Sequence, residues 1–278
     1  MRQTNLVLVE GIPGSGKSTM GQFLESQIAV HGVPVTWWYE EQKDHPLYLF
    51  DDQASLRAVI EDLRAGRFHQ LIDAALAKWR RFAEETTRGD SVVILDSCLF
   101  GYLTWSLFPG EAPIDLITSY LLDVETIIRA TAPCLIYLYQ DDVARTLTRL
   151  CEARGRRWAD SFIESSTQSP YATRRGLRGF AGLVTYWADY QSFTKRCFEG
   201  FGGARLKIEG SAGDWSGYQE QTVQFFGLSG FDVGQPSEDD LRRFVGTYEQ
   251  TAERTDRTSV QIYLENGHLY ASGLPEMW

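Results

Sequence analysis

The sequence predicts an α/β fold with a small appendage, and three observations lead there. Apolar runs of strand length recur through the first 228 residues, at Leu6-Val7-Leu8-Val9, Val92-Val93-Ile94-Leu95 and Cys134–Tyr139, with helical spacing between them. Unbroken apolar runs mark strands covered on both faces, as in a parallel sheet. Gly11-Ile-Pro13-Gly14-Ser15-Gly16-Lys17-Ser18-Thr19 joins the first run to the first helical segment. Strand, glycine loop and helix in that order form an anion cradle. After Gly227 the composition changes, which points to a second, smaller unit.

The elements follow in order. The first helix runs to about Val30, and His31-Gly32 ends it. Val33–Tyr39 is a second strand, closed by Glu40-Glu41. Gln53–Leu63 and Phe68–Arg88 are helices; in the second, Leu71, Ala75, Trp79 and Phe82 keep helical spacing. Residues 91–96 are a third strand with Asp96 at its carboxyl tip, and an aromatic-rich segment follows to Phe108. Pro113 suits the first turn of a helix over 114–131, which Pro133 ends. Cys134–Tyr139 is the fourth strand, and Asp141-Asp142 caps another helix. Residues 165–173 read as a polar loop and 174–201 as one long helix. Ala204–Glu209 is the fifth strand, Gly210–Gly213 a loop set to touch a purine ring, and Tyr218–Phe226 the closing helix.

Residues 229–240 are rich in Gly, Pro, Ser and Asp and read as a linker. Ser259–Glu265 alternates, Asn266-Gly267 is a hairpin turn, and His268–Ser272 returns. A β appendage over 241–278 is too small for its own core, so it is expected to pack on the main domain or a partner, or to belong to a longer module.

Bulk composition narrows the function classes. The net charge of −10 and the pI of about 5.0 leave no broad basic surface, which argues against a nucleic-acid partner. Cys98, Cys134, Cys151 and Cys197 lie far apart, with no C-x-x-C and no histidine at metal spacing, so buried thiols are expected. No leader layout and no span of membrane length is present, so a cytoplasmic protein without a membrane partner is expected.

The candidate chemistry centres on the glycine loop. Gly11, Pro13, Gly14, Ser15, Gly16, Lys17, Ser18 and Thr19 fit G-x-x-x-x-G-K-[ST] throughout. Glycines let the backbone aim its N–H groups at an anion, and a helix starting near Lys17 adds its positive end. Lys17 is placed to reach the outer phosphates and Ser18 to ligate Mg²⁺. Ligands of an open α/β sheet sit beyond the carboxyl ends of its strands. Glu40 and Asp96 lie at such ends: Glu40 as a base for an acceptor hydroxyl, Asp96 as a metal-side acid, an acceptor-orienting acid or an N-cap. His45 before Pro46 reads as a loop residue, while Trp37, Trp38, Tyr48 and Phe50 are candidate pocket walls. Arg145, Arg149, Arg154, Arg156 and Arg157 crowd into one stretch of an acidic chain. A basic segment there, about 141–170, suits a lid that closes over a triphosphate. Arg174, Arg175 and Arg178 are placed to face an acceptor.

The glycine loop, the Asp96 strand, the turn at Arg154–Arg157 and Lys207-Ile-Glu-Gly-Ser211 resemble the nucleoside and nucleotide kinases of the thymidylate kinase type, over about residues 1–228. The resemblance implies a three-layer P-loop NTPase fold with a five-stranded parallel sheet in order 2-3-1-4-5. It matches Lys17 and Ser18 to the phosphate-loop pair, Glu40 or Asp96 to the acceptor-side acid, and Arg149, Arg154, Arg156 and Arg157 to the lid. Glu40-x-x-x-Asp44-His45-Pro46 and Leu135–Gln140 are closer to a group of bacterial phosphate-loop kinase-like proteins. One departure is plain: those kinases place arginine beside the acid after the third strand, and here Ser97 follows Asp96. The 246–248 and 264–270 segments resemble small β modules of some bacterial hydrolases.

The expected function is transfer of the γ-phosphoryl of ATP, with Mg²⁺, to a hydroxyl on a nucleoside-like or antibiotic-like small molecule. An NTPase switch using ATP or GTP on a protein partner stays open, as does a nucleotide binder without chemistry. A homodimer is compatible with the sequence.

Overall fold

The computed structural model describes residues 3–50, 52–228, 242, 245–249, 259–265 and 268–272. The chain divides into two units, Met1–Gly230 and Phe231–Trp278.

In the first unit the strands are β1 (Leu6–Gly11), β2 (Val35–Trp38), β3 (Val92–Asp96), β4 (Cys134–Tyr139) and β5 (Ala204–Glu209). They form one parallel sheet in the order β2-β3-β1-β4-β5. Leu8 of the central strand lies between Leu95 of β3 and Leu135 of β4. The helices of the first half are α1 (Lys17–Val30), α2 (Gln53–Arg64), α3 (Phe68–Arg88), α4 (Tyr102–Leu107) and α5 (Ile114–Ile128). Those of the second half are α6 (Val143–Arg154), α7 (Arg156–Thr167), α8 (Pro170–Arg174), α9 (Gly179–Gly200) and α10 (Trp215–Phe226).

Period-two alternation along β1 splits the core in two. Leu6 and Leu8 join the cluster containing Trp79 and Phe82 of α3, Val124 of α5 and Tyr190 of α9. Val7 and Val9 join the cluster containing Met20 and Leu24 of α1 and Phe226 of α10. The sheet is therefore the middle of three layers. Strands buried on both faces explain why β1, β3 and β4 are unbroken apolar runs in sequence.

Two stretches differ from the sequence reading. Residues 165–173 are not a loop: α7 runs to Thr167, and α8 begins at Pro170. Ser169 caps α8 by accepting from the Ala172 N–H at 3.2 Å, and Pro170 occupies a first-turn position where no N–H is needed. The helix expected over 174–201 starts later, at Gly179, because α8 ends at Arg174 and a turn through Gly176 intervenes. The four cysteines form no disulfide; Cys98 and Cys134 are buried, whereas Cys151 and Cys197 are half-buried.

In the second unit, β6 (Gly246–Glu249), β7 (Ser259–Glu265) and β8 (His268–Ser272) form an antiparallel sheet in that order. The hairpin strands read from sequence are β7 and β8, and β6 adds a third. The Asn266-Gly267 turn and the 229–240 linker lie outside the described residues. Among the described residues, no helix is long and apolar enough to cross a membrane.

Candidate active site

The glycine loop leaves the central strand β1 at its carboxyl end and feeds directly into α1. Gly16 is the residue before α1, with φ of 92°. Only glycine holds that conformation without strain, and a Cβ there would also run into the Trp215 ring. The first-turn N–H groups of Lys17, Ser18 and Thr19 have no partner within the helix, so they and the helix dipole face whatever occupies the loop. Lys17 is buried, with its Nζ 3.4 Å from the Ile12 carbonyl oxygen.

A cavity of about 660 Å³ opens beside this loop. Of the motif, Gly11, Pro13, Gly14, Gly16, Lys17, Ser18 and Thr19 line it, while Ser15 is buried behind them. The two candidate acids take different positions. Glu40 lines the cavity and is half-buried. Its backbone carbonyl accepts hydroxyl hydrogen bonds from Tyr48 and, at 2.8 Å, from Tyr102. The two tyrosines thereby fix the Glu40 backbone at the cavity wall.

Asp96 is fully buried. It accepts from the Ser18 hydroxyl at 2.6 Å through Oδ2, while Oδ1 has no hydrogen-bond partner among the described residues. Burial pushes the Asp96 carboxyl up to about 6; Lys17 opposes the rise, Glu40 adds to it, and the Ser18 hydrogen bond opposes it. Asp96 also ends β3 rather than starting a helix, since α4 begins six residues later, so the N-cap reading does not hold. Among the described residues no group of three or more His, Cys, Asp or Glu is placed to hold a metal.

Sequence reasoning missed Glu10. This β1 residue is fully buried, and its two carboxyl oxygens accept from the N–H groups of Leu99 at 2.6 Å and Phe100 at 3.1 Å. Burial pushes Glu10 up to about 8; the Leu99 and Phe100 amides and then Lys17 oppose the rise. Glu10 anchors a turn that carries left-handed backbone at Ser97 (φ 60°), where a non-glycine residue is strained. That turn presents Ser97, Cys98, Phe100 and Tyr102 to the cavity.

His45 is buried in a ring cluster with Trp38, Tyr48 and Tyr102. Burial pushes it down to about 4, so it is neutral at pH 7. Its Nδ1 accepts from the Leu47 N–H at 3.2 Å, which puts the proton on Nε2, 3.6 Å from Cys98 Sγ. This is a structural histidine, as the loop reading had it. Of the expected walls, Tyr48 and Phe50 line the cavity, whereas Trp37 and Trp38 do not; of the aromatic-rich segment, Phe100, Tyr102 and Trp105 line it and Phe108 does not. Trp37 covers Gly21 of α1, and Phe108 packs against Tyr190 and Phe193.

The basic segment forms two helices joined at Gly155, whose φ of 83° breaks α6 from α7. Arg154 reaches the cavity wall, its guanidinium 5.6 Å from the Trp158 ring centre. Arg149, Arg156 and Arg157 are exposed and are not among the residues lining the cavity. Arg156 sits 3.8 Å from Asp160, an exposed pair of little energetic consequence. Arg145 borders a separate open groove together with Ser211. Arg174 and Arg175 are tied to Glu111 at 3.0 and 2.9 Å, and neither they nor Arg178 line the cavity.

No protein-family model and no curated protein matches this chain. Among solved structures, it is similar to the YorR protein of Bacillus subtilis, determined in complex with phosphorylated GDP, at 12% sequence identity and a TM-score of 0.40, over 80% of this chain and 94% of that one.

Proposed function

We propose that the chain is an ATP- and Mg²⁺-dependent kinase that phosphorylates a hydroxyl group on a small molecule. The observation that carries this reading is one cavity lined both by the glycine loop with Lys17 and by Glu40 and a wall of aromatic side chains. A hydrolytic switch needs room only for water beside the phosphates. A chamber of this size supports a second, molecular substrate.

In this reading the loop amides and Lys17 bind the triphosphate and hold its γ-phosphorus in line with the acceptor oxygen. Ser18 and Asp96 suit Mg²⁺: the hydroxyl already touches the carboxylate, and the unpartnered buried Oδ1 is a hard oxygen donor in search of a cation. When bound, Mg²⁺ would neutralise charge on the phosphate oxygens. Glu40 takes the proton from the acceptor hydroxyl as the new O–P bond forms. The bond between the γ-phosphorus and its bridging oxygen breaks, and ADP leaves with that electron pair. Arg154 meets the charge on the transferring group from the α6 side. Arg149, Arg156 and Arg157 would join it only if α6 and α7 rearranged about Gly155.

The test is ADP release across a panel of hydroxylated metabolites, run on the wild type and on Glu40→Gln and Asp96→Asn. The right acceptor raises release well above the rate with ATP alone. Loss of the base lowers the stimulated rate by roughly 10²- to 10⁴-fold. Stimulation by a protein and by no small molecule would favour the switch. Turnover unchanged in Lys17→Ala would leave binding alone.

A further inference from the structure

The acceptor chamber constrains what can enter it. Twelve aromatic side chains line the cavity, against two basic ones, Lys17 and Arg154, which both stand at the phosphate end in the reading above. No asparagine, glutamine or histidine side chain is among the lining residues. Most polar tips of the chamber rings are already occupied, although the buried Trp187 N–H has no partner among the described residues. Tyr48 and Tyr102 donate to the Glu40 carbonyl. The Trp79 N–H donates to the Tyr120 hydroxyl at 3.0 Å, and the Tyr190 hydroxyl donates to the Phe100 carbonyl. What these rings offer a ligand is therefore mainly surface for stacking, with the Tyr120 O–H and the Trp187 N–H as the donors left over.

Two substrate classes fit this wall poorly. A nucleoside monophosphate brings a dianion that needs guanidinium or ammonium partners. Arg174 and Arg175, two of the arginines expected to face an acceptor, pair with Glu111 and do not line the cavity. A nucleoside brings a base edge whose donors and acceptors lose water on entry, and each one left unpaired costs roughly 1–3 kcal/mol. Flat apolar rings lose little by leaving water and gain stacking on the walls.

We infer that the acceptor is an uncharged, flat, predominantly apolar alcohol or phenol that buries its ring system among Trp79, Tyr102, Trp105 and Tyr120 and presents its hydroxyl to Glu40. This inference deepens the kinase reading and rests on it for the fate of the hydroxyl, but the binding preference can be measured without turnover.

The probes are 2-naphthol, 2-naphthyl phosphate, thymidine and thymidine monophosphate, titrated calorimetrically into protein saturated with ADP so that the glycine loop is filled. 2-Naphthol is expected to bind at least tenfold more tightly than each of the other three. Comparable or tighter binding of either phosphate, or of thymidine, overturns the inference, as does no binding by 2-naphthol. Val59→Trp, which narrows the chamber at a half-buried wall position, should weaken 2-naphthol at least tenfold while ADP affinity stays within twofold. Ala75→Leu on α3 makes the same test from another wall should Val59→Trp fail to fold. Unchanged 2-naphthol affinity in the folded variant places the ligand elsewhere and overturns the assignment. Lys17→Ala separates the two readings: it should abolish ATP turnover and leave 2-naphthol binding intact. If no acceptor ever stimulates ADP release yet 2-naphthol shows the expected preference, the kinase reading fails and the chamber assignment stands.

Discussion

The Ser18 hydroxyl donates to the Asp96 carboxylate at 2.6 Å, joining the first turn of α1 to the tip of β3 across 78 residues of sequence. The contact draws the glycine loop and the acid into one electrostatic unit with Lys17 and Glu40. It also leaves one buried carboxylate oxygen without a partner. Such an atom costs free energy unless a cation or donor reaches it during function.

Proton and metal should therefore compete at Asp96. Its carboxyl sits at about 6, above the usual carboxylate range, because burial disfavours the charge. Below that value the acid is neutral and a poor ligand, so the Mg²⁺ concentration for half-maximal turnover should rise as pH falls through 6. Asp96→Asn should remove that pH dependence and lower metal affinity or turnover by roughly 10- to 100-fold. Metal titrations at pH 5.5, 6.5 and 7.5 decide it. A half-saturation value independent of pH in the wild type would mean that Asp96 does not hold the metal.

Much of this unit was visible beforehand, and the missing part has a common physical character. Strand β4 is where its apolar run puts it, because burial on both faces leaves a sequence signature; the edge strand β5 shows instead an alternation of apolar and charged residues. The glycine loop was legible because its backbone conformations need specific residues, as Gly16 shows. Glu10 was not, because one acid at the end of an apolar strand looks the same whether it meets solvent or the amides of Leu99 and Phe100. Nothing in the chain between residues 10 and 99 announces that pairing. Arg149 and Arg154 raise a similar difficulty: side-chain type marked both for a lid, but only the fold decides which one reaches the cavity. The helix start at Ser169-Pro170 was readable from its capping signal, and the surrounding polar residues obscured it.

Gly16 couples the loop to α10. An added Cβ would suffer both the φ of 92° and the Trp215 ring, so Gly16→Ala should destabilise the protein by roughly 2–4 kcal/mol. Trp215→Ala in the same chain relieves the ring contact but not the backbone strain. Denaturant midpoints of the four proteins in the cycle should give a coupling of about 1 kcal/mol in the favourable direction. Strict additivity would mean that the ring moves aside freely and that strain alone fixes glycine here.

Glu10 gives the fold a pH dependence of definite sign. Burial raises its folded value to about 8 from an ordinary 4.5, so between these limits the folded chain holds a proton that the unfolded chain has released. The stability it contributes is complete below about 4.5 and is lost as pH rises through 8. Glu10→Gln supplies a permanently neutral side chain of the same shape, with one oxygen left to accept from the Leu99 and Phe100 amides. Its unfolding free energy should lack this slope. Subtracting the variant curve from the wild-type curve isolates the group from the other titrating acids. The difference should fall by an amount on the order of 3 kcal/mol between pH 5 and pH 8, at about 1.4 kcal/mol per unit of offset. Parallel curves would show that the two amides and Lys17 keep Glu10 charged in the folded state throughout. The turn at 97–102 would then be held by a buried carboxylate, and removing that charge should loosen the Tyr102 grip on Glu40 and raise KM for the acceptor before it changes kcat.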